Sequence, residues 1–255
     1  MTGDLVEFAE APARFMAPAP GRLLRVTDGY ALAHDFGHTW AAVEGIHLRA
    51  EDVAGVLAEV RAALTGSGAA RCSWWLTERS TPPDLEARLL EAGLVRDDAD
   101  YLHAAMLLTT EPPQVDGIAV RRVTTLAEFA EARRLALAAF ANPNQHVPTD
   151  AEIAVEWEHA VDPTFAAWVD GRMAAVGRAT FTSKGAYLIG GATAEWARGR
   201  GAYRAIVRAR WDAAVEAGTP ALGVGAGPMS RPILERLGFE QVLQLRRLDD
   251  VLSPA

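Results

Sequence analysis

The sequence predicts an α+β protein of two lobes, each a mixed, mostly antiparallel sheet flanked by helices. Three observations lead there. A proline-rich joint, "TTEPPQVDG" (109–117), divides the 255 residues into two pieces of domain size, 1–112 and 117–255. Each piece runs strands, helix, strand, helix, strand, with alternating apolar positions in the strands and 3.6-residue spacing in the helices. Hairpin-length links between strands suit an α+β sandwich better than a doubly wound sheet.

In the first piece "LLRV", "YALAHDF" and "TWAAVEGI" read as short strands, with Asp28-Gly29 as a hairpin turn. "RAEDVAGVLAEVRAAL" is helical, because Val53, Val56, Leu57 and Val60 fall on one face, and Gly66 and Gly68 end it. A strand "RCSWWLT", a helix "DLEARLLEAGL" and a strand "YLHAAMLL" complete the piece.

The second piece opens with a strand, "IAVRRV", and a helix, "LAEFAEARRLALAAF", capped by Thr124 or Thr125. A polar loop, "ANPNQHVPTD", leads to a helix "AEIAVEWEHAV" and to strands at "FAAWVDG", "MAAVGRATFTS" and "GAYLIGGAT". Then come an arginine-rich helix, a strand "PALGVGA", a helix "MSRPILERLG" and a strand "EQVLQLRRL". The repeated order of elements predicts an internal structural duplication, although no residue-level repeat is visible.

Half of the residues are hydrophobic, enough for a sizeable core. The net charge of −8 argues against a general nucleic-acid binder, whose affinity rests on neutralising phosphates. All of the acidic excess lies before Pro112, and the rest of the chain is balanced. Cys72 is the only cysteine, which excludes a disulfide framework and a cysteine metal site. His34, His38 and His47 lack a ligand spacing, so no metal is expected. Asp4, Glu7 and Glu10 stand where a secretory leader would be basic, and no apolar run reaches membrane-span length. The expectation is a soluble cytoplasmic protein with neither a membrane nor a nucleic acid as partner; a homodimer is allowed.

The segment "EWARGRGAYRAIVRAR" crowds arginines at a helix start. Tyr203, Ile206, Val207, Trp211 and Ala214 form its inward stripe, while Arg204, Arg208, Asp212 and Glu216 place bases first and acids last. That order opposes the helix dipole, at about 0.3–1 kcal/mol per misplaced cation. Either the face is simply solvated, or an external anion sits there, held by free backbone N–H groups and arginines. Gly199 and Gly201 favour the second reading, because they let backbone approach a ligand. The matching helix of the first piece starts Arg49-Ala50-Glu51-Asp52 without a glycine loop, so an anion site there is absent or degenerate. Neither a dinucleotide fingerprint nor a P-loop is present.

The order strand, "ARGRGAYRAIV", helix, strand, helix, "LGFEQV" resembles the GNAT superfamily of acyl-CoA N-acyltransferases. Its Arg/Gln-x-x-Gly-x-Gly/Ala motif reads Arg198-Gly199-Arg200-Gly201-Ala202-Tyr203 here, with Tyr203 in place of the final small residue. The resemblance covers 118–248, and the first piece shares only the order of elements, which suggests a tandem GNAT with a degenerate first copy that is structural or substrate-defining. It implies acetyl-CoA as co-substrate, its pyrophosphate on Arg198 through Arg204 (Arg198, Gly199, Arg200, Gly201, Ala202, Tyr203, Arg204), and its pantetheine arm along Gly191, Ala192 and Thr193. Gly190-Gly191 suits either the bulge with which the family splays its sheet or a close-packed turn.

The resemblance implies transfer of an acetyl group to a primary amine of a small molecule or peptide by direct attack. A backbone N–H near Ala192 or Thr193 would meet the oxyanion. The amine must lose a proton, and candidates to take it are His146, Glu156 and His159, the first two preferred over Glu195 and Tyr203. The family often has a tyrosine acid where this chain has Leu234. Ser230 either positions water or sulfur, or caps its helix. Without an acid or an evident base, a non-enzymatic acyl-CoA-binding or regulatory protein is the alternative. An RNA-binding module is disfavoured by charge and by the lack of an aromatic RNA-reading motif. The acidic first piece favours a cationic acceptor, which could lie between the two halves.

Overall fold

The computed structural model of the chain describes residues 3–140 and 146–252. The first piece holds α1 (Gly3–Glu10), a 3-10 turn (Pro12–Phe15), β1 (Arg22–Val26), β2 (Ala31–Asp35), β3 (Trp40–Glu44), α2 (Val53–Leu64), β4 (Arg71–Leu76), α3 (Leu85–Glu91) and β5 (Leu102–Leu108). The second holds β6 (Ala119–Arg122), α4 (Leu126–Phe140), α5 (Asp150–Glu158), β7 (Thr164–Val169), β8 (Arg172–Phe181) and β9 (Ala186–Thr193). It continues through a 3-10 turn (Glu195–Ala197), α6 (Ala202–Glu216), β10 (Leu222–Ala226), α7 (Arg231–Glu235) and β11 (Glu240–Val251). The α+β class with a mostly antiparallel sheet is as expected from sequence. Residues 141–145 of the polar loop lie outside the described residues.

Among the described residues all strands join one 11-stranded sheet in the order β1-β2-β3-β4-β11-β5-β10-β9-β8-β7-β6. The halves exchange their last strands. β5 pairs with β10 and β11 of the second piece, and β11 reaches back to β4 with Leu248 opposite Trp74. The pairs β3–β4 and β9–β10 are parallel, spanned by α2 and α6 respectively, and the other pairs are antiparallel. The duplication is therefore real at the level of topology: β1-β2-β3-α2-β4-α3-β5 repeats as β7-β8-β9-α6-β10-α7-β11. The second half adds β6, α4 and α5 ahead of this unit.

Cross-strand partners share a face, which fixes the layers. On one face α2 and α3 cover the first half through Leu57, Leu89, Val43 and Trp74, and α6 and α7 cover the second through Val207, Trp211, Leu188 and Leu234. On the inner face α4 and α5 pack Phe129 and Ile153 on Val176 and Ala192. α1, which the sequence pattern does not announce, packs Phe8 on Ala105, Leu107 and Leu245 at the middle of the sheet. Its short apolar stripe sits among acids, too little signal for periodicity to register. α5 starts with a reciprocal capping box between Thr149 and Glu152. Arg208 pins the joint between the pieces, bonding to Pro112 O (2.7 Å) and Glu111 (2.6 Å).

Candidate functional site

The two parallel strand pairs differ in how far they stay joined. In the first half β3 and β4 stay zipped from Trp40–Arg71 to Val43–Trp74. In the second, β9 and β10 pair only at Ala186–Leu222 and Tyr187–Gly223, then part. From Leu188 onward the β10-facing backbone edge of β9 has no strand partner. The cause lies in Gly190-Gly191. Val176 faces Ala192 while Arg178 faces Ile189, so β9 holds one residue more than β8 there, and Gly190 takes φ +61°. The bulge inverts the facing of the residues beyond it: Leu188 points to α6 but Ala192 points to α4. Of the two sequence readings of Gly190-Gly191, the bulge is the one found.

The strand leads into the loop of the arginine segment. Gly199 (φ +76°) and Gly201 (φ +88°) are left-handed, and Gly201 stands at the N-cap of α6 without a side-chain cap. The first-turn N–H groups of α6 therefore have no side chain bonded to them, and no acid lies in that turn. The arginines divide. Arg200 pairs with Asp170 (2.7 Å), and Arg208 with Glu111 and Asp212 (2.8 Å). Arg198 and Arg204 are exposed and have no acidic partner among the described residues. Tyr203 turns from solvent to lie against β9: a Cβ on Gly191 would fall 2.8 Å from its ring. Glycine at 191 is what makes room for the tyrosine that departs from the motif.

On the inner face, two adjoining cavities share Trp40 and Gly190. The larger, about 270 Å³, lies between the halves and is bounded by Glu44, Trp75, His103, Tyr187 and Ile189. Tyr187 lies flat across β10 because Gly223 and Gly225 leave space; Cβ atoms there would come within 3.1 and 3.0 Å of it. Burial, with Glu44 nearby, pushes its phenol above the ordinary tyrosine range. Burial likewise pushes the Glu44 carboxyl up to about 7. The smaller cavity, about 150 Å³, is bounded by His38, Arg133, Glu156 and Arg178. There Arg178 donates to His38 Nε2 (2.6 Å), and burial beside Arg178 depresses the His38 pKa to about 3, so the ring is a neutral acceptor.

A strand splayed by a bulge, running into a left-handed glycine loop at a helix start, is the arrangement that the sequence resemblance implied. Comparison with solved structures bears on the fold. A GCN5-related N-acetyltransferase from Kribbella flavida is 18% identical, with 98% of this chain and 96% of that one covered at a TM-score of 0.66. The chain carries the GNAT fold. A tandem GNAT protein from the clavulanic acid biosynthesis pathway is 16% identical over 95% of this chain and 86% of its own, with a TM-score of 0.57. A conserved protein of unknown function from Staphylococcus epidermidis is 10% identical over 95% and 100%, with a TM-score of 0.63. No protein-family model matches the chain, and no curated protein matches it.

Within this GNAT fold the candidate catalytic residues of the sequence do not converge. His146 is exposed and pairs with Glu152 (3.0 Å), beside the start of α5. Glu156 is buried, and Arg133 clamps both its oxygens (2.7 and 3.2 Å), tying α4 to α5. Ser230 occupies the N-cap position of α7 but makes no capping bond; its hydroxyl donates to Gly227 O (3.2 Å). Leu234 is core beneath α7, packed in the cluster with Val207 and Trp211. The sequence pattern does not bring the inner-face residues Glu44, Tyr187, His38 and Arg178 together. The alternating glycines of "LGVGA" were a signal for Tyr187, since a strand with bare Cα positions must accommodate something large. Among the described residues no group of three or more His, Cys, Asp or Glu is placed to hold a metal, and no helix is long and apolar enough to cross a membrane.

Proposed function

We propose that the chain is an acetyl-CoA-dependent N-acetyltransferase that acetylates a primary amine of a small molecule or peptide. One observation carries this reading: the splayed β9 edge and glycine loop exist in the second half and have no counterpart in the zipped first half. Residues 117–255 then form the acyl-CoA-binding unit and residues 1–112 a degenerate copy that shapes the acceptor side. The co-substrate supplies an activated acyl thioester. Arg198, Arg204 and the first-turn amides of α6 hold its diphosphate, with Gly199 to Ala202 giving close backbone approach. The unpaired edge at Gly191, Ala192 and Thr193 bonds the pantetheine arm, and an N–H there polarises the acyl carbonyl. A lysine-like amine at pH 7 is neutral in roughly one molecule in several thousand, so a proton acceptor is required. Glu156, held by Arg133, and His146, held by Glu152 on the surface, are poorly placed for that role.

Calorimetry with acetyl-CoA tests the reading. Arg198→Ala and Arg204→Ala should each weaken binding about tenfold, near 1.4 kcal/mol, whereas Arg208→Ala should leave it within about twofold. Failure of the wild-type protein to bind acetyl-CoA would overturn it. Leu234, core where the family often has a tyrosine acid, favours a second reading as a non-catalytic acyl-CoA-binding protein. Release of free CoA with an amine panel separates the two: binding without turnover supports the second.

A further inference from the structure

The chemistry of the crevice between the halves narrows the acceptor. Along β3, Ala41 and Val43 face α2, so Glu44 with Ala42 points to the inner face. Glu44 is 8% exposed, yet it bounds the larger cavity. Its Oε2 accepts a hydrogen bond from the Ala13 N–H (3.2 Å), and its other oxygen has no partner among the described residues. The remaining charges around that cavity are compensated. Glu10 accepts from Thr77 (2.6 Å) and pairs with Arg79 (2.9 Å). Arg22 pairs with Asp35 (2.5 Å) and Asp162 (2.9 Å), and Arg247 with Asp100 and Asp249. Glu44 is therefore a buried carboxylate without a cation, in a cavity whose wall combines these compensated charges with the apolar and aromatic surfaces of Trp40, Trp75, Tyr187, Ile189 and Leu245.

Burying a carboxylate with one neutral donor is costly, and the cost is relieved when a cation enters. An ammonium group on an apolar or aromatic body matches both the free oxygen and the walls. A carboxylate or phosphate would meet Glu44 head-on. Ile189 and Gly190, on the bulged stretch of β9, border the same cavity, so the bound amine lies next to the strand that would present the acyl group.

Resting on the N-acetyltransferase reading, we infer that this crevice is the acceptor site and takes a cationic primary amine on an aromatic or aliphatic body, with Glu44 from the first half as its counter-ion. On transfer the N–C bond forms as the thioester C–S bond breaks, and the ammonium gives up two protons, one to the departing CoA thiolate and one to solvent; the uncharged amide then loses its hold on Glu44 and leaves.

The test is binding of 2-phenylethylamine, with 2-phenylethanol as its uncharged analogue, to the full chain without acetyl-CoA, followed by calorimetry. The amine should bind at least tenfold more tightly than the alcohol. Glu44→Gln should abolish that preference while binding the alcohol as before. Unchanged circular dichroism confirms that the variant folds. Equal binding of amine and alcohol, no binding of either, or undiminished amine binding by Glu44→Gln would each overturn the inference. Because acetyl-CoA takes no part, failure of the cofactor reading shows separately in the acetyl-CoA calorimetry.

Discussion

Glu44 makes a sharp prediction for stability. Its carboxyl titrates near 4.5 in the unfolded chain and at about 7 in the fold, where burial outweighs the single Ala13 bond. The folded pKa is the higher one, so the penalty is absent below pH 4.5, when both states hold the proton. It grows between pH 4.5 and 7, where the unfolded chain has released its proton and the folded one has not. Above pH 7 it is constant. A shift of that size corresponds to about 3 kcal/mol. Glu44→Gln keeps an acceptor for the Ala13 N–H and removes the ionisation. Urea unfolding of both proteins at pH 4 and pH 8 measures the effect. The variant should gain about 3 kcal/mol relative to wild type between the two pH values. Other titrating groups cancel in that difference. Parallel stability–pH profiles would refute the reasoning, since they would mean that Glu44 ionises in the fold as it does in water.

His38 should act in the opposite sense. Its folded pKa is depressed, so its contribution is complete above pH 6.5 and is lost as pH falls toward 3; His38→Gln should flatten the acid limb of the unfolding profile. Gly191→Ala should destabilise by about 1–3 kcal/mol, because the new Cβ meets the Tyr203 ring, and Tyr203→Ala should rescue much of that loss in a double-mutant cycle. Residues 117–255 expressed alone lack β5, the strand between β10 and β11. Circular dichroism and size exclusion should find that fragment unfolded or aggregated.

The parts legible in the sequence are those that neighbouring residues decide. The arginine loop could be read from a dozen consecutive residues because glycines, cations and the helical stripe after them report one local geometry. Even there the roles of the arginines were not separable. Arg208 reads like Arg204 until the joint folds back and gives it Glu111 and Pro112 O. Glu156 reads as a candidate proton acceptor because its partner Arg133 is on another helix. Glu44 carries no mark in "TWAAVEGI". Its significance depends on strand parity, on Ala13 from the N-terminal turn, and on Tyr187 from the other half.

Strand exchange is the physical reason that the inner-face site could not be read from either piece alone. Had β5 and β11 each closed their own half, the sheets would have been separate, free to meet at any angle. With β5 lodged between β10 and β11, and β11 zipped to β4, the backbone ladder runs unbroken from β3 to β9. A continuous twisted ladder fixes the inner faces of both halves relative to each other, and α1 packs over its middle strands. Glu44 and Tyr187 are thereby held across one cavity by main-chain hydrogen bonds rather than by a surface contact between domains. Such a frame resists hinge motion, so it favours a pre-formed acceptor pocket over one assembled by closure. On the proposed N-acetyltransferase reading, a degenerate first copy kept as half of this frame would have a function without a cofactor of its own: to supply the wall and the charge against which the acceptor is oriented.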